Sequence, residues 1–482
     1  MNTMTETKTN ITKNTSYIGF AMIVQKILSL TYFTILAREL GPENLGKYYF
    51  AISFTTIFSI IADLGLANVL TREVAKNKAD AQKLLGTVMA IKLPLALLLI
   101  FIVWLVSGLL NYETLVRNLI FVSLGCIIFD SFSASFFAVS RGFHNLKYEA
   151  IAAGFFHAIV MTIGLPLLLS GASLVFQMGA LFIASLSQMI FSIFVIRKKL
   201  GLTITPIYDN KLIKGILLVV LPFGLYVVFQ RIYLYFDSVL LEHFAGSIYV
   251  GYYQISFRIV FALQFIPAAI AASVYPAMSS YWVSNREQLK TTFEKAVIYL
   301  TLIALPISAG VFALADKIIL LFKSGYEAAI LPMQIIIMSV LFIFINFPLG
   351  SLLNACDRQK TNTKNMAIVT VLSIALNFIL IPRFQAVGAS ITVLFANFLM
   401  TALGFYWAKK IIPFNSKKLI VSFFKILLAA SIMGVSAWYL KNSIGVWLTI
   451  PLGGLIYISL ILILKTISKD EISHIVKSIL RK

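Results

Sequence analysis

The chain has 482 residues, of which 60% are hydrophobic and 12% charged, with a mean hydropathy of +0.92. Soluble domains average about 45–50% apolar and about 25% charged, so a water-soluble enzyme is excluded, because its surface would carry apolar patches beyond what such proteins tolerate. Forty Lys+Arg against nineteen Asp+Glu give +21, a value that in a soluble chain would suggest nucleic acid and that must first be located along the chain.

Met1 to Ser16 is polar, and no small-residue cleavage site follows the first apolar run, so a signal peptide is not expected. Runs of the length needed to cross a bilayer, about 20 residues, then occur at 16–36, 48–69, 86–108, 117–139, 150–169, 174–196, 215–235, 249–273, 296–314, 330–353, 366–381, 386–407, 419–440 and 447–464. The expected fold is therefore all-α, a polytopic membrane protein with about 14 transmembrane helices. The run 366–381 is short and weakly separated from 386–407. Interior prolines (Pro94, Pro222, Pro267, Pro306, Pro348) each remove an i→i−4 hydrogen bond and are expected bend points.

Orientation follows from the cations. The N-terminal tail, the even-numbered loops and the C-terminal tail hold 28 of the 40 Lys+Arg, the odd-numbered loops together with Arg117 at the edge of the fourth span hold 7, and five lie deeper inside spans. By the positive-inside rule both termini are cytoplasmic. Most of the +21 is thus a topology signal, with no nucleic-acid partner implied. No loop exceeds about 22 residues, which leaves no room for a motor or soluble catalytic domain beside spans of this length.

Short motifs carry little chemistry. Gly41-Pro-Glu-Asn-Leu-Gly46-Lys47-Tyr48 approaches a P-loop but ends in Tyr, lacks a preceding strand and falls on the outer side. Cys126 and Cys356 form no CxxC or Cys/His cluster, so no disulfide framework, metal site or other cofactor is expected. His157 lies in an apolar run and reads as a core histidine with a satisfied ring.

Charges inside the spans are more informative. Lys92 and Lys425 lie six or seven residues from cytoplasmic ends and are expected to snorkel. Lys26 is about 15 Å deep at helical rise, and Asp130 and Arg258 are similarly central. Asp63 lies in the cytoplasmic third of its helix and Arg231 in the outer third. Lys26, Asp63, Asp130 and Arg258 left in lipid would together cost about 10–14 kcal/mol, so they are expected to face water, one another, or both. Steps of three and four put Gln254, Arg258, Phe261 and Phe265 on one side of the eighth helix, and Tyr226, Gln230, Tyr233 and Asp237 on one side of the seventh. The pattern predicts a hydrated cleft with cationic spots, suited to phosphate, and aromatic walls, suited to sugar rings. Asp63, Asp130, Asp237 and Arg231 are candidates for ion coupling or for ion pairs that merely hold the bundle.

An internal echo joins Gly46-Lys-Tyr-Tyr-Phe-Ala-Ile-Ser-Phe54 to Gly251-Tyr-Tyr-Gln-Ile-Ser-Phe257, six helices apart. Both copies enter from the same side, the mark of a parallel repeat such as secondary transporters use. The expected domains are a six-helix lobe at 1–200, a second at 201–411, and two further helices with a basic cytoplasmic tail at 412–482.

The stretch Ala37-Arg38-Glu39-Leu40-Gly41-Pro42, with Gly46, Tyr48, Ala62-Asp63-Leu64-Gly65-Leu66 and Leu70-Thr71-Arg72-Glu73, resembles the opening signature of the polysaccharide repeat-unit flippases. These are the Wzx-type O-antigen transporters of the multidrug/oligosaccharidyl-lipid/polysaccharide (MOP) exporter superfamily. Val250-Gly251-Tyr252-Tyr253, Arg258, Pro267 and Tyr275-Pro276-Ala277-Met278-Ser279 are similar to a second family element, and Leu353-Asn354-Ala355 through Val387-Gly388-Ala389 to a third. The resemblance implies two pseudo-symmetric six-helix lobes forming a V, plus two C-terminal helices. It also implies a non-enzymatic job: moving a polyprenyl-diphosphate-linked oligosaccharide across the cytoplasmic membrane. Partners would be that substrate, membrane lipids and other polysaccharide-assembly membrane proteins. Lys26 and Arg258 match cavity-facing basic positions of related lipid II flippases, but Lys replaces Arg at the first, and Lys lacks the bidentate fork. The fuller arginine set of those relatives is absent, which argues against lipid II. The alternatives are an ion-coupled multidrug exporter or lipid II flippase of the same superfamily, and an oligosaccharide polymerase or ligase, which would need a large outer loop.

Overall fold

In a computed structural model the backbone is described for residues 2–466, and side chains from Gln25 onward except 219 and 221–223. The basic C-terminal tail expected after 466 and the ring of Pro222 lie outside the described residues. The helices are α1 (Asn2–Asp63), α2 (Leu66–Lys76), α3 (Ala81–Leu109), α4 (Thr114–Gly142), α5 (Lys147–Ile159), α6 (Leu165–Leu169), α7 (Leu174–Phe194), α8 (Asn210–Ala245), α9 (Ser247–Leu263), α10 (Phe265–Ser284), α11 (Arg286–Leu320), α12 (Ile330–Ala355), α13 (Gln359–Ile411), α14 (Ser416–Leu440) and α15 (Val446–Ile463).

Among the described residues, eleven helices are long and apolar enough to cross a membrane. Two of these hold two crossings each. α1 breaks at Gly41, whose φ of 71° is a left-handed value that glycine adopts at no steric cost, directly before Pro42. α13 breaks at Gln385, with φ 47° and ψ −125°. α8 carries the apolar run at 215–235 besides. The fourteen runs read from the sequence are thereby accounted for.

Of the expected bend points, Pro267 adjoins an interruption, between Leu263 of α9 and Phe265 of α10. Helix continues through Pro94, Pro306 and Pro348, because neighbouring helices and local adjustment absorb the lost bond. Pro267 lies in the first turn of α10, where its missing N–H would be unsatisfied anyway. The second run stops at Asp63, since Leu64 and Gly65 have φ of 48° and 89°. α2 then begins with Leu66, Val69, Leu70 and Val74 buried and Arg72 and Lys76 on the other side, an amphipathic pattern that turns part of the expected 70–85 loop into a packed helix.

The contacts divide the chain into two compact units, Met1–Gln254 and Ile255–Lys482. In the first, α1 packs on α3, α4, α5 and α8, and α7 packs on α4 and α5. The extended segment at 201–209 is strapped to the start of α3. Gln82 exchanges hydrogen bonds with Thr203, Ile207 N–H donates to the Gly86 carbonyl at 3.0 Å, and Lys83 pairs with Asp209 at 3.0 Å. The Lys83 ammonium, with the Leu212 and Lys211 N–H groups that Asp209 caps, holds that carboxyl below the usual range.

The echo segments also meet within this unit. A Cβ on Gly46 would overlap the Ser247 carbonyl, and one on Gly251 would overlap the Pro42 carbonyl. Each glycine therefore touches the residue four positions before the other. Without side chains the two backbones reach an approach that small residues permit in membrane helices.

In the second unit α11 packs on α10, α12 and α14, α12 on α13, and α14 on α15. Polar contacts fix the last two helices. The buried Glu294 accepts from Asn415 N–H at 2.8 Å and from Lys418 Nζ at 3.3 Å. Lys441 reaches Asp316 at 2.8 Å, and the Tyr457 hydroxyl donates to the Leu302 carbonyl. Phe424, Trp438, Trp447 and Ile463 of these two helices stay exposed, as lipid-facing helices require.

Candidate functional site

A cavity of about 510 Å³ lies within the first unit, among α1, α4, α5 and α7. Its polar lining is Gln25, Asp130, Glu149, His157 and Gln188, and Phe137 and Phe156 supply aromatic wall. Glu149 and His157 lie eight residues apart on α5, about 12 Å at helical rise. The cavity thus runs nearly the length of α5, from its last turn to its first, where Arg141 holds Glu149 at 2.6 Å.

Each side chain is placed by its helix. Asp130 sits midway along α4 beside Ser185 of α7. The His157 Nδ1 is bonded to the Ala153 carbonyl at 3.0 Å, and Lys26 lies within electrostatic range of the same ring. A short π-helix at Val160–Gly164 follows His157, and Gly164 there lets Tyr32 of α1 pack against the backbone. Such π segments recur at functional sites. The lining offers two carboxylates, two carboxamides and an imidazole, a donor and acceptor set that matches polyhydroxylated ligands.

Asp63 lies elsewhere. Its Oδ1 is 2.8 Å from Lys92 Nζ, whose side chain is only 1% exposed. Lys92 also donates to the Ser131 carbonyl at 2.6 Å and to Ser131 Oγ at 2.9 Å, and Ser131 Oγ donates in turn to the Ala62 carbonyl. The expectation that Lys92 snorkels is overturned, because its ammonium donates to two oxygens of Ser131 and pairs with the Asp63 carboxylate inside the unit. Lys425 bonds the Leu464 carbonyl at the end of α15, also within protein.

Asp237 and Gln254 come together in a third place. Both are buried. Asp237 accepts from the Tyr253 hydroxyl and from Ser238 N–H, and Gln254 donates to Ser238 Oγ at 3.0 Å. This is a packed α8–α9 network. Tyr226, Arg231 and Tyr233 are half-buried along α8, and Gln230 is exposed. In the second unit Arg258 is half-buried, Phe261 stacks on Phe257 with centroids 5.9 Å apart, and Phe265 is 42% exposed.

Sequence reasoning missed Gln25, Glu149, His157 and Gln188 as a group. The signal was present on α5, where Glu149, Ala153 and His157 recur every four residues on one face. A single histidine in an apolar run concealed it.

Comparison with known proteins agrees with the architecture. A family model described as "Polysaccharide biosynthesis protein" matches residues 11–282, and the MatE model matches 222–379. The chain is 22% identical to an uncharacterized membrane protein of Methanocaldococcus jannaschii, over 93% of this chain and 94% of that one. It is 21% identical to the probable low-salt glycan biosynthesis flippase Agl15 of Haloferax volcanii, over 76% of each. It is 22% identical to a putative O-antigen transporter of Shigella flexneri, over 80% of this chain and 94% of that one. Among solved structures, the inward closed lipid II flippase MurJ superposes with a TM-score of 0.77 at 17% identity, covering 92% and 97% of the two chains. An inward-facing multidrug resistance MATE transporter gives 0.68 at 17% identity, covering 81% and 97%. These likenesses show the fold, that of the MOP superfamily. Because the matched region 11–282 is more than half of the 482 residues, the chain belongs to the polysaccharide biosynthesis protein family.

Proposed function

We propose that this protein is a flippase that carries a polyprenyl-diphosphate-linked oligosaccharide from the cytoplasmic to the outer leaflet by alternating access. The observation that carries the reading is the cavity lined by Asp130, His157 and Gln188 at mid-helix depth in a membrane-spanning unit. Hydrocarbon cannot solvate such groups, and sugar hydroxyls can. The polysaccharide biosynthesis family and the flippase and O-antigen transporter names of the relatives support it.

In this reading Lys26 and Arg258 attract the diphosphate, and Tyr226, Tyr233, Phe261 and Phe265 offer faces to sugar rings. Gln230 and Gln254 lie on the same stripes, Gln254 acting through the Asp237 network. Asp130 is the acid proposed to couple transport to an ion. Asp63, held by Lys92, is proposed as structural. The repeat halves are 1–200 and 201–411, with 412–482 added to them. The protein performs no covalent chemistry, resides in the cell membrane with both termini cytoplasmic, and works beside other polysaccharide-assembly proteins.

Deleting the gene in its native host tests the reading through the surface glycan. Loss of a flippase is expected to give no surface polymer and a build-up of lipid-linked units on the cytoplasmic side. Single repeat units at the surface would indicate a polymerase instead, and unchanged polymer together with drug sensitivity would indicate a multidrug exporter.

A further inference from the structure

The second unit holds a groove that the transport reading leaves unused. A cavity of about 720 Å³ lies among α11, α12, α13 and α14, walled by Ile345, Phe398, Phe405 and Phe423. Phe398, Ile420 and Phe424 on its margin are each at least half exposed, so it opens sideways, where lipid lies. From Phe398 to Lys409 the groove follows eleven residues of α13, about 16 Å at helical rise. That is about half of a 30 Å hydrocarbon core, or one leaflet.

One end of the groove is basic. Lys409 is the charged side chain among its lining residues, with Ser416 of α14 opposite. Two of the nearby lysines are engaged: Lys410 bonds the Tyr406 hydroxyl at 2.7 Å and lies over the Tyr406 and Trp407 rings, and Lys418 pairs with Glu294 at 3.3 Å. Ser416 is the first residue of α14, whose 25-residue dipole places partial positive charge there. Lys409, Lys410, Lys417 and Lys418 crowd a single connection, which by the positive-inside rule is cytoplasmic.

We infer that this groove holds one anionic glycerophospholipid of the cytoplasmic leaflet, its phosphate at Lys409 and Ser416 and one acyl chain along the phenylalanine wall. One lining cation matches the single negative charge of a phosphodiester, whereas a diphosphate would leave charge unmatched. A depth of one leaflet fits an acyl chain, and a polyprenyl tail outruns it. The inference does not depend on what the protein transports.

Native mass spectrometry of the delipidated full-length protein, titrated with phosphatidylglycerol or phosphatidylcholine, tests it. Wild type retains one phosphatidylglycerol with about fivefold preference, the effect of one lysine near a phosphate. Lys409→Gln brings the preference close to one. Ala402→Trp, which fills the groove from its exposed lining, removes the retained lipid. Equal retention of both lipids by wild type, or a preference that survives both substitutions, overturns the assignment. Displacement of phosphatidylglycerol by equimolar polyprenyl diphosphate also overturns it and assigns the groove to the substrate's tail.

Discussion

Asp63→Asn will lower the free energy of unfolding by about 3 kcal/mol, the lower end of the cost of stranding one member of a buried ion pair. The Lys92 side chain is 1% exposed, whereas that of Asp63 is 34% exposed, so the two substitutions are not equivalent. Removing the carboxylate leaves an ammonium with only the neutral Ser131 oxygens. Lys92→Met leaves an acid that still reaches water, and its cost is expected to be smaller. The double variant removes both charges and should recover most of the loss, since apolar replacement of a whole pair is often neutral. Thermal unfolding of the four proteins in detergent measures this cycle. Additive losses in the double variant would mean that the 2.8 Å contact contributes nothing.

Leucine at Gly46 or Gly251 will have a comparable effect for a different reason. A side chain at either position meets backbone, the Ser247 or the Pro42 carbonyl, and backbone cannot rotate aside as a flexible side chain does. The two helices must separate. Overpacking of this kind costs about 3 kcal/mol at the upper end of its usual range. Both substitutions push the same crossing apart, so their double variant should cost less than the sum. Gly154→Ala and Gly179→Ala serve as controls, because a Cβ there meets nothing within 4 Å, and changes within about 0.5 kcal/mol are expected. The yield of monodisperse protein and its melting temperature give the comparison.

The parts legible in the sequence are those set by lipid. Spanning segments must be apolar and about 20 residues long, so all fourteen runs could be read, including the short 366–381, which the break at Gln385 separates from its successor. The Gly46 and Gly251 echo was legible as repetition, but its contact was not, because close approach of two backbones leaves no trace in hydropathy. Lys92 was misread because depth within a run fixes how far a cation can reach, and not which neighbour lies beside it. Ser131 sits 39 residues away in the chain. Asp237 and Gln254 were placed on polar stripes by spacing alone, and a stripe packed against another helix has the same periodicity as one facing water. Tyr253, which bonds Asp237, is the residue that separates those cases, and in the sequence it stands only as part of the repeated motif.

The central claim is that this protein moves a diphosphate-linked glycolipid and attracts it with cations at Lys26 and Arg258. Purified protein reconstituted in vesicles, with a fluorescent polyprenyl-diphosphate oligosaccharide and a membrane-impermeant quencher or lectin outside, tests it most directly. Wild type is expected to expose the lipid, and Arg258→Ala and Lys26→Ala each to slow exposure by roughly 30-fold, as loss of a charge paired with phosphate costs about 2 kcal/mol or more. Flipping by both variants at the wild-type rate, or no flipping by wild type, would contradict the account.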